Sequence, residues 1–271
     1  MDRLFAQFTH CALFAAMLLL GACATPGGPN IDTRYSAKGQ DSRAQFLVIH
    51  YTEGNFKNSL HILTEGAVSA HYLLSDETPP VIYRLVDENR RAWHAGASSW
   101  KGAAMINAAS IGIEIVHPGF VDLPQGRLWA PYAEAQIDAL IPLVQDIVKR
   151  HAIPPERVLG HSDVAPQRKV DPGPRFPWKR LADAGLIAWP DAARVAEQRK
   201  VYEKVLPDVA WFQSSLAAHG FAVPQNGLLD EPTHKVIAAF QMKYRPALFD
   251  GAPDAETAAL LQVLITAPAP P

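Results

Sequence analysis

An α/β fold, a mixed β-sheet flanked by helices and followed by a small C-terminal three-helix domain, is predicted by three features of this 271-residue sequence. Short β-prone apolar runs recur from residue 45 to residue 117, a longer segment of helical spacing follows, and short apolar-striped stretches close the chain. In QFLVIHYT, starting at Gln45, alternation puts Phe46, Val48 and His50 on one face, with His50 at the strand end. SAHYLLS and PVIYRLV predict two further strands around the turn-like DETPP. SIGIEIVHPG predicts a fourth, with Ile111, Ile113 and Ile115 on one side and Gly112, Glu114 and Val116 on the other. From Tyr132 to His151, the residues Ile137, Leu140, Ile141, Val144, Ile147 and Val148 recur at helical spacing and predict an amphipathic helix over the sheet. Pro142 lies inside it and predicts a kink, since proline lacks the N–H donor and costs roughly 3 kcal/mol in a helix interior.

The α/β body is expected over residues 40–190, a charged, alanine-rich connector over 191–200, and the helical domain over 201–266. VAWFQSSLAAHGF, THKVIAAFQMKY and AETAALLQVLI predict its three helices. GLLDEPT and GAPDAET share the pattern G-x-x-D-x-x-T, whose aspartate is placed to accept from free amides of a helical first turn. The Pro- and Ala-rich tail, 267–271, is expected to be disordered.

A net charge of -2 leaves no basic surplus to neutralise phosphates, which argues against a nucleic-acid partner. Arg3 precedes an almost wholly apolar run, Cys11 to Leu20, too short for a comfortable membrane span but suited to an export signal over residues 1–22. Leu20, Gly21, Ala22 and Cys23 resemble the lipobox of bacterial lipoproteins. The resemblance implies a lipid anchor on Cys23, and Ala24, standing where aspartate would retain an inner-membrane lipoprotein, implies the outer membrane, facing the periplasm. Asp2 weakens the positive start of the signal, and a cleaved secretory signal with a chance cysteine is the alternative. Residues 23–39 then read as a Gly- and Pro-rich tether. With Cys11 and Cys23 the only cysteines, the exported domains hold no internal disulfide, so their cores must supply stability.

Ten histidines make any single one uninformative, but His50 and His161 each end a short apolar run, where α/β folds place their sites. His161 opens HSDVAPQRKVDPGPRFPW, a proline-stiffened stretch that also contains Lys169 and Asp171. Two imidazoles and a carboxylate suit zinc with a fourth position left for water, although a buried Asp-His pair without an ion fits the spacing as well. In an extended segment Lys169 and Asp171 project to the same side, bringing an ammonium near the metal, where it could steady an oxyanion. Glu114 among its isoleucines could accept a proton from zinc-activated water; singly, Glu114 also fits an exposed edge strand and Lys169 a surface cation. His61, His71, His117 and His151 read as structural or surface residues.

LVIHYT, VSAHYLL, RAWHAGASSW, SIGIEI and GHSDVAPQRKVDPGPRFPW together resemble the zinc N-acetylmuramoyl-L-alanine amidases of the type 2 family. The resemblance covers about residues 40 to 190 and implies the type 2 amidase fold and hydrolysis of the amide between N-acetylmuramic acid, or its anhydro form, and L-alanine of peptidoglycan stem peptides. It implies zinc ligands at His50, His161 and Asp171, a general base at Glu114, an oxyanion-stabilising lysine at Lys169, and substrate contacts at Trp93, His94 and Ala95. Phage-type members carry a tyrosine where Ala70 stands, which leaves that load to Glu114. The C-terminal helices resemble a peptidoglycan-binding module, so peptidoglycan and muropeptides are the expected partners of a monomer. A non-catalytic peptidoglycan receptor and a zinc carboxypeptidase acting on stem peptides are the rival readings.

Overall fold

The computed structural model describes Pro29 and residues 31–266; the signal segment, Cys23 and the 267–271 tail lie outside the described residues. The chain divides into two units, residues 1–40 and 41–271. In the first, the described residues form no helix or strand, and Asp32 pairs with Arg34 on an exposed surface.

In the second unit, β1 (Phe46–Tyr51), α1 (Phe56–Glu65), β2 (Tyr72–Leu74) and β3 (Ile82–Arg84) come first. A small hairpin, β4 (Ser99–Trp100) and β5 (Ala103–Ala104), leads to β6 (Ser110–Ile115) and a second hairpin, β7 (Phe120–Leu123) and β8 (Gly126–Trp129). Then follow α2 (Glu134–His151), β9 (Val158–Gly160), α3 (His161–Val164) and α4 (Trp178–Asp183). The chain closes with α5 (Ala192–Tyr202), α6 (Val209–His219), α7 (Glu231–Tyr244) and α8 (Ala255–Ile265).

The main sheet has five strands in the order β3-β2-β6-β1-β9, parallel except for the antiparallel edge strand β3. Alternation along β1 and β6 divides their apolar residues between two cores. Leu47, Ile49, Ile111, Ile113 and Ile115 pack under Ile137, Leu140, Val144 and Ile147 of α2. Phe46 and Val48, on the other face, share a cluster with Val164 and with Phe212, Leu216, Val236, Ile237 and Phe240 of the C-terminal helices. Both faces of the central strands are therefore covered, as parallel strands require.

Helix α2 runs unbroken through Pro142. Pro142 and Asp138, whose carbonyl loses its donor, both lie on the exposed face, where that carbonyl is open to solvent. The stretch expected as a connector is itself helical: Asp191 caps α5 by accepting from the Arg194 amide at 2.8 Å. Helix α1 and the β7–β8 hairpin had no sequence counterpart above, although Asn55, accepting from the Asn58 amide, marks the start of α1.

The G-x-x-D-x-x-T repeat now has a physical reason. Asp230 and Asp254 cap α7 and α8 through the Thr233 and Thr257 amides, at 2.9 and 2.8 Å. A wholly buried glutamine from the preceding helix reads the rest of each motif. Gln213 accepts from Gly227 N and donates to Thr233 Oγ1, while Gln241 accepts from Gly251 N and donates to Thr257 Oγ1.

Candidate metal centre and catalytic cleft

The parallel strands β1, β6 and β9 bring their carboxyl ends side by side, and the register pairs His50 with Glu114. His161 follows directly from β9, which pairs with β1 through Ile49 and Gly160. The proline-rich loop then returns Asp171 to the same point: the Ser162 amide donates to the Asp171 carbonyl at 2.8 Å, and the Tyr132 hydroxyl to that of Pro172 at 2.8 Å.

His50 Nδ1, His161 Nδ1 and Asp171 Oδ2 form a nearly equilateral triangle with sides of 3.0, 3.1 and 3.1 Å. A tetrahedral zinc with ligand distances of 2.0–2.1 Å separates its ligand atoms by about 3.3 Å, so the triangle has the shape of three corners of that site. His50, His161 and Asp171 are all buried, and they are the cluster among the described residues that can hold a metal ion.

Hydrogen bonds behind the histidines assign their tautomers. Ser110 Oγ donates to the Ile106 carbonyl at 2.7 Å, so it accepts from His94 Nε2 at 3.0 Å. His94 Nδ1 is then an acceptor and takes the proton of His50 Nε2 at 2.9 Å, which leaves His50 Nδ1 with a free lone pair. His161 Nε2 faces the Ala95 carbonyl at 3.3 Å, so the lone pair of His161 also sits on Nδ1. Both imidazoles thus present an unprotonated nitrogen, as metal ligation requires. Burial, and next the His161 imidazole, push His50 down to about 4, while burial followed by His50 holds His94 well below its ordinary value.

Glu114 and Lys169 line the same cleft of about 380 Å³, with Tyr51, Phe120, Arg127 and Asp171. Glu114 is half-buried, and its Oε2 is sequestered without a hydrogen-bond partner among the described residues. Desolvation, reinforced by the Asp171 charge and opposed by Lys169, raises the Glu114 carboxyl to about 8. An unpartnered carboxylate oxygen poised to take a proton suits a general base.

Of the residues expected as substrate contacts, Trp93, His94 and Ala95, Trp93 is 55% exposed. His94 is buried behind His50, in the space a side chain at position 112 would need, and Ala95 is wholly buried and acts through its carbonyl. The Asn107 side chain fixes this segment by accepting from the His94 and Ala95 amides. Arg168 clamps it from the other side through the carbonyls of Ala95 and Ala97. The sequence reading missed Ser110, Asn107 and Arg168, as well as Tyr51, whose buried hydroxyl has no partner among the described residues. The one available signal was Gly112, a glycine inside a strand, which marks close approach by another group.

A Cβ at position 112 would stand 2.4 Å from His94 Cγ. Gly112→Ala is therefore expected to displace the His94 ring, to destabilise the fold by about 1–3 kcal/mol through overpacking, and to weaken zinc binding. Thermal melts and a chelator-competition titration would measure both; zinc affinity equal to wild type would mean that His94 does not orient His50.

Two family models match the chain: N-acetylmuramoyl-L-alanine amidase over residues 40–174, and a peptidoglycan binding domain over 206–261. The N-acetylmuramoyl-L-alanine amidase AmiD of Escherichia coli is 44% identical over 267 residues, 93% of this chain and 96% of its own length. This chain belongs to the N-acetylmuramoyl-L-alanine amidase family. The 1,6-anhydro-N-acetylmuramyl-L-alanine amidase AmpD of Enterobacter cloacae is 39% identical over 115 residues, covering 42% of this chain and 56% of AmpD. Among solved structures, E. coli AmiD in complex with anhydro-N-acetylmuramic acid-L-Ala-D-gamma-Glu-L-Lys superposes with a TM-score of 0.79 at 42% identity, over 87% of this chain and 93% of AmiD. AmpDh3 of Pseudomonas aeruginosa superposes with a TM-score of 0.81 at 39% identity, over 88% and 98%. The type 2 amidase fold is thus shared along with its C-terminal helices.

Proposed function

We propose that this chain hydrolyses the amide between N-acetylmuramic acid, including its 1,6-anhydro form, and the L-alanine of peptidoglycan stem peptides, with zinc held by His50, His161 and Asp171. The observation that carries this reading is the ligand triangle set beside the sequestered Glu114 oxygen at the carboxyl ends of adjacent parallel strands. The anhydromuramyl peptide bound to the similar AmiD supports the substrate class.

Zinc held by His50, His161 and Asp171 would supply a Lewis acid for the scissile carbonyl and would lower the pKa of water toward roughly 7. Glu114 Oε2 accepts the proton of the attacking water and hands it to the departing alanine nitrogen. The amine leaves neutral, and the carboxylate is regenerated. The Lys169 ammonium stabilises the tetrahedral oxyanion, a contribution of ~2.7–4 kcal/mol for one well-placed donor. His94, Ser110 and the Ala95 carbonyl keep both ligand imidazoles in the tautomer that binds metal.

Mass spectrometry of muropeptides and anhydromuropeptides digested with the zinc-loaded protein tests the assignment. An intact stem peptide with a free L-alanine amine supports the amidase. Unchanged substrate would make the protein a receptor, and a shortened peptide would make it a carboxypeptidase. The complete set of His50, His161, Asp171, Glu114 and Lys169 argues against the receptor.

We further propose that Cys23 carries a lipid anchor to the outer membrane, a reading supported by the lipobox-like LGAC. Cys23→Ser is expected to move the protein from the membrane pellet to the soluble fraction; unchanged fractionation would refute the anchor.

A further inference from the structure

We propose that helix α7 of the C-terminal module acts as a splint for the loop that carries His161, Lys169 and Asp171, with Lys243 as its principal positioning residue. The inference rests on the metal-site reading above but assigns a role to a part of the chain that the reading does not use.

Lys243 is only 5% exposed, although it lies within the segment matched by the peptidoglycan-binding model. Lysine is almost never buried unless paired, and a glycan-facing surface would gain nothing from a lysine turned inward. Its ammonium donates to Asp163 Oδ2 at 2.7 Å and to the Val158 carbonyl at 3.3 Å, and it stands over the Trp178 ring at 4.3 Å. The same Asp163 oxygen accepts from the Gly160 amide at 2.8 Å. One ammonium therefore ties the last strand of the sheet to the first turn of α3, and the ligand His161 lies in the two-residue span enclosed between Gly160 and Asp163.

The other end of α7 grips the loop again. Gln167 donates through Nε2 to the Pro232 carbonyl at 3.0 Å, and Lys235 Nζ donates to the Gln167 carbonyl at 3.4 Å, two residues before Lys169. Between these clamps Val164 and Ala165 share a core with Val236, Ile237 and Phe240. Eight residues separate Lys235 from Lys243, about 12 Å of helix, so a single rigid rod spans the loop. The module accordingly completes the metal site from behind, whatever its outer surface binds.

The test uses full-length protein. Lys243→Met alone strands the Asp163 carboxylate in the interior and can prevent folding, so the informative variant is Lys243→Met with Asp163→Asn. The amide still accepts from Gly160 N–H, and no charge is left unpaired. This double variant is expected to fold and to bind zinc ~10- to 100-fold more weakly in chelator competition, the usual effect of losing a support behind a ligand. Its activity at limiting zinc should fall, and excess zinc should restore it with KM unchanged. Leu261→Ala, which loosens the core on α8 and touches neither clamp of α7, should lower the melting temperature and retain wild-type zinc affinity. Wild-type affinity in the double variant, or an equal loss in Leu261→Ala, would overturn the splint. Wild-type protein that takes up no zinc would instead remove the metal reading itself.

Discussion

Replacing Glu114 by glutamine is expected to lower turnover by ~10²- to 10⁴-fold, the usual weight of a general base, in a protein that still binds one zinc. Glutamine keeps the shape of the side chain, and Glu114 is not part of the ligand triangle, so metal content separates loss of the base from loss of the site. Steady-state assays on an anhydromuramyl peptide, with zinc measured on the same samples, check both halves. Turnover within a few-fold of wild type would remove Glu114 from the mechanism.

The same substitution should change how the metal-free protein responds to pH. Burial raises the Glu114 carboxyl from 4.5 to about 8, so between those values the folded state binds more protons than the unfolded state. Stability contributed by this group is full below about pH 4.5 and is lost as pH rises through about 8. Glu114→Gln removes that loss. Metal-free Glu114→Gln is therefore expected to be more stable than wild type at pH 8, by about 2–3 kcal/mol once partial exposure is discounted from the full linkage value, and close to it at pH 4.5. Denaturant melts at the two pH values decide; equal differences at both would show that Glu114 is not desolvated. A larger difference at pH 8 would mark the base as a residue whose activity is maintained against stability.

Asp171→Ala is expected to abolish stoichiometric zinc binding and, with it, activity. It deletes the one anionic ligand and leaves His50 and His161 with lone pairs aimed at each other across 3.0 Å. Zinc that binds only the folded state adds RT ln(1 + [Zn]/Kd), about 2.7 kcal/mol at a hundredfold excess over Kd. A chelator should thus lower the melting temperature of the wild type and leave that of Asp171→Ala unchanged. Bound zinc persisting at one per chain in this variant would contradict the ligand set.

How much was legible beforehand depended on how local the cause was. Strand β1 and helix α2 are written in period-2 and period-3.6 patterns, and the two apolar faces those patterns predict are the two that the sheet buries. The caps of α7 and α8 were legible because an aspartate and the amide it serves lie three residues apart. Helix α5 was not: it is charged, has no buried residue, and so carries no apolar stripe to announce itself.

The candidate site divides the same way. His50, Glu114, His161, Lys169 and Asp171 could be chosen from residue type and position at strand ends or in a stiffened loop, since their chemistry is intrinsic to the side chain. What only the tertiary structure decided was which groups stand behind them. His94 turned from an expected substrate contact into the support of His50, because Gly112 leaves room for its ring, and Lys243 turned inward to hold the turn around His161. Such contacts join residues up to 85 positions apart, as Lys243 and Val158 are, and depend on depth within the packed layers. No local pattern encodes that depth; it exists only once the sheet has closed between its two helical covers.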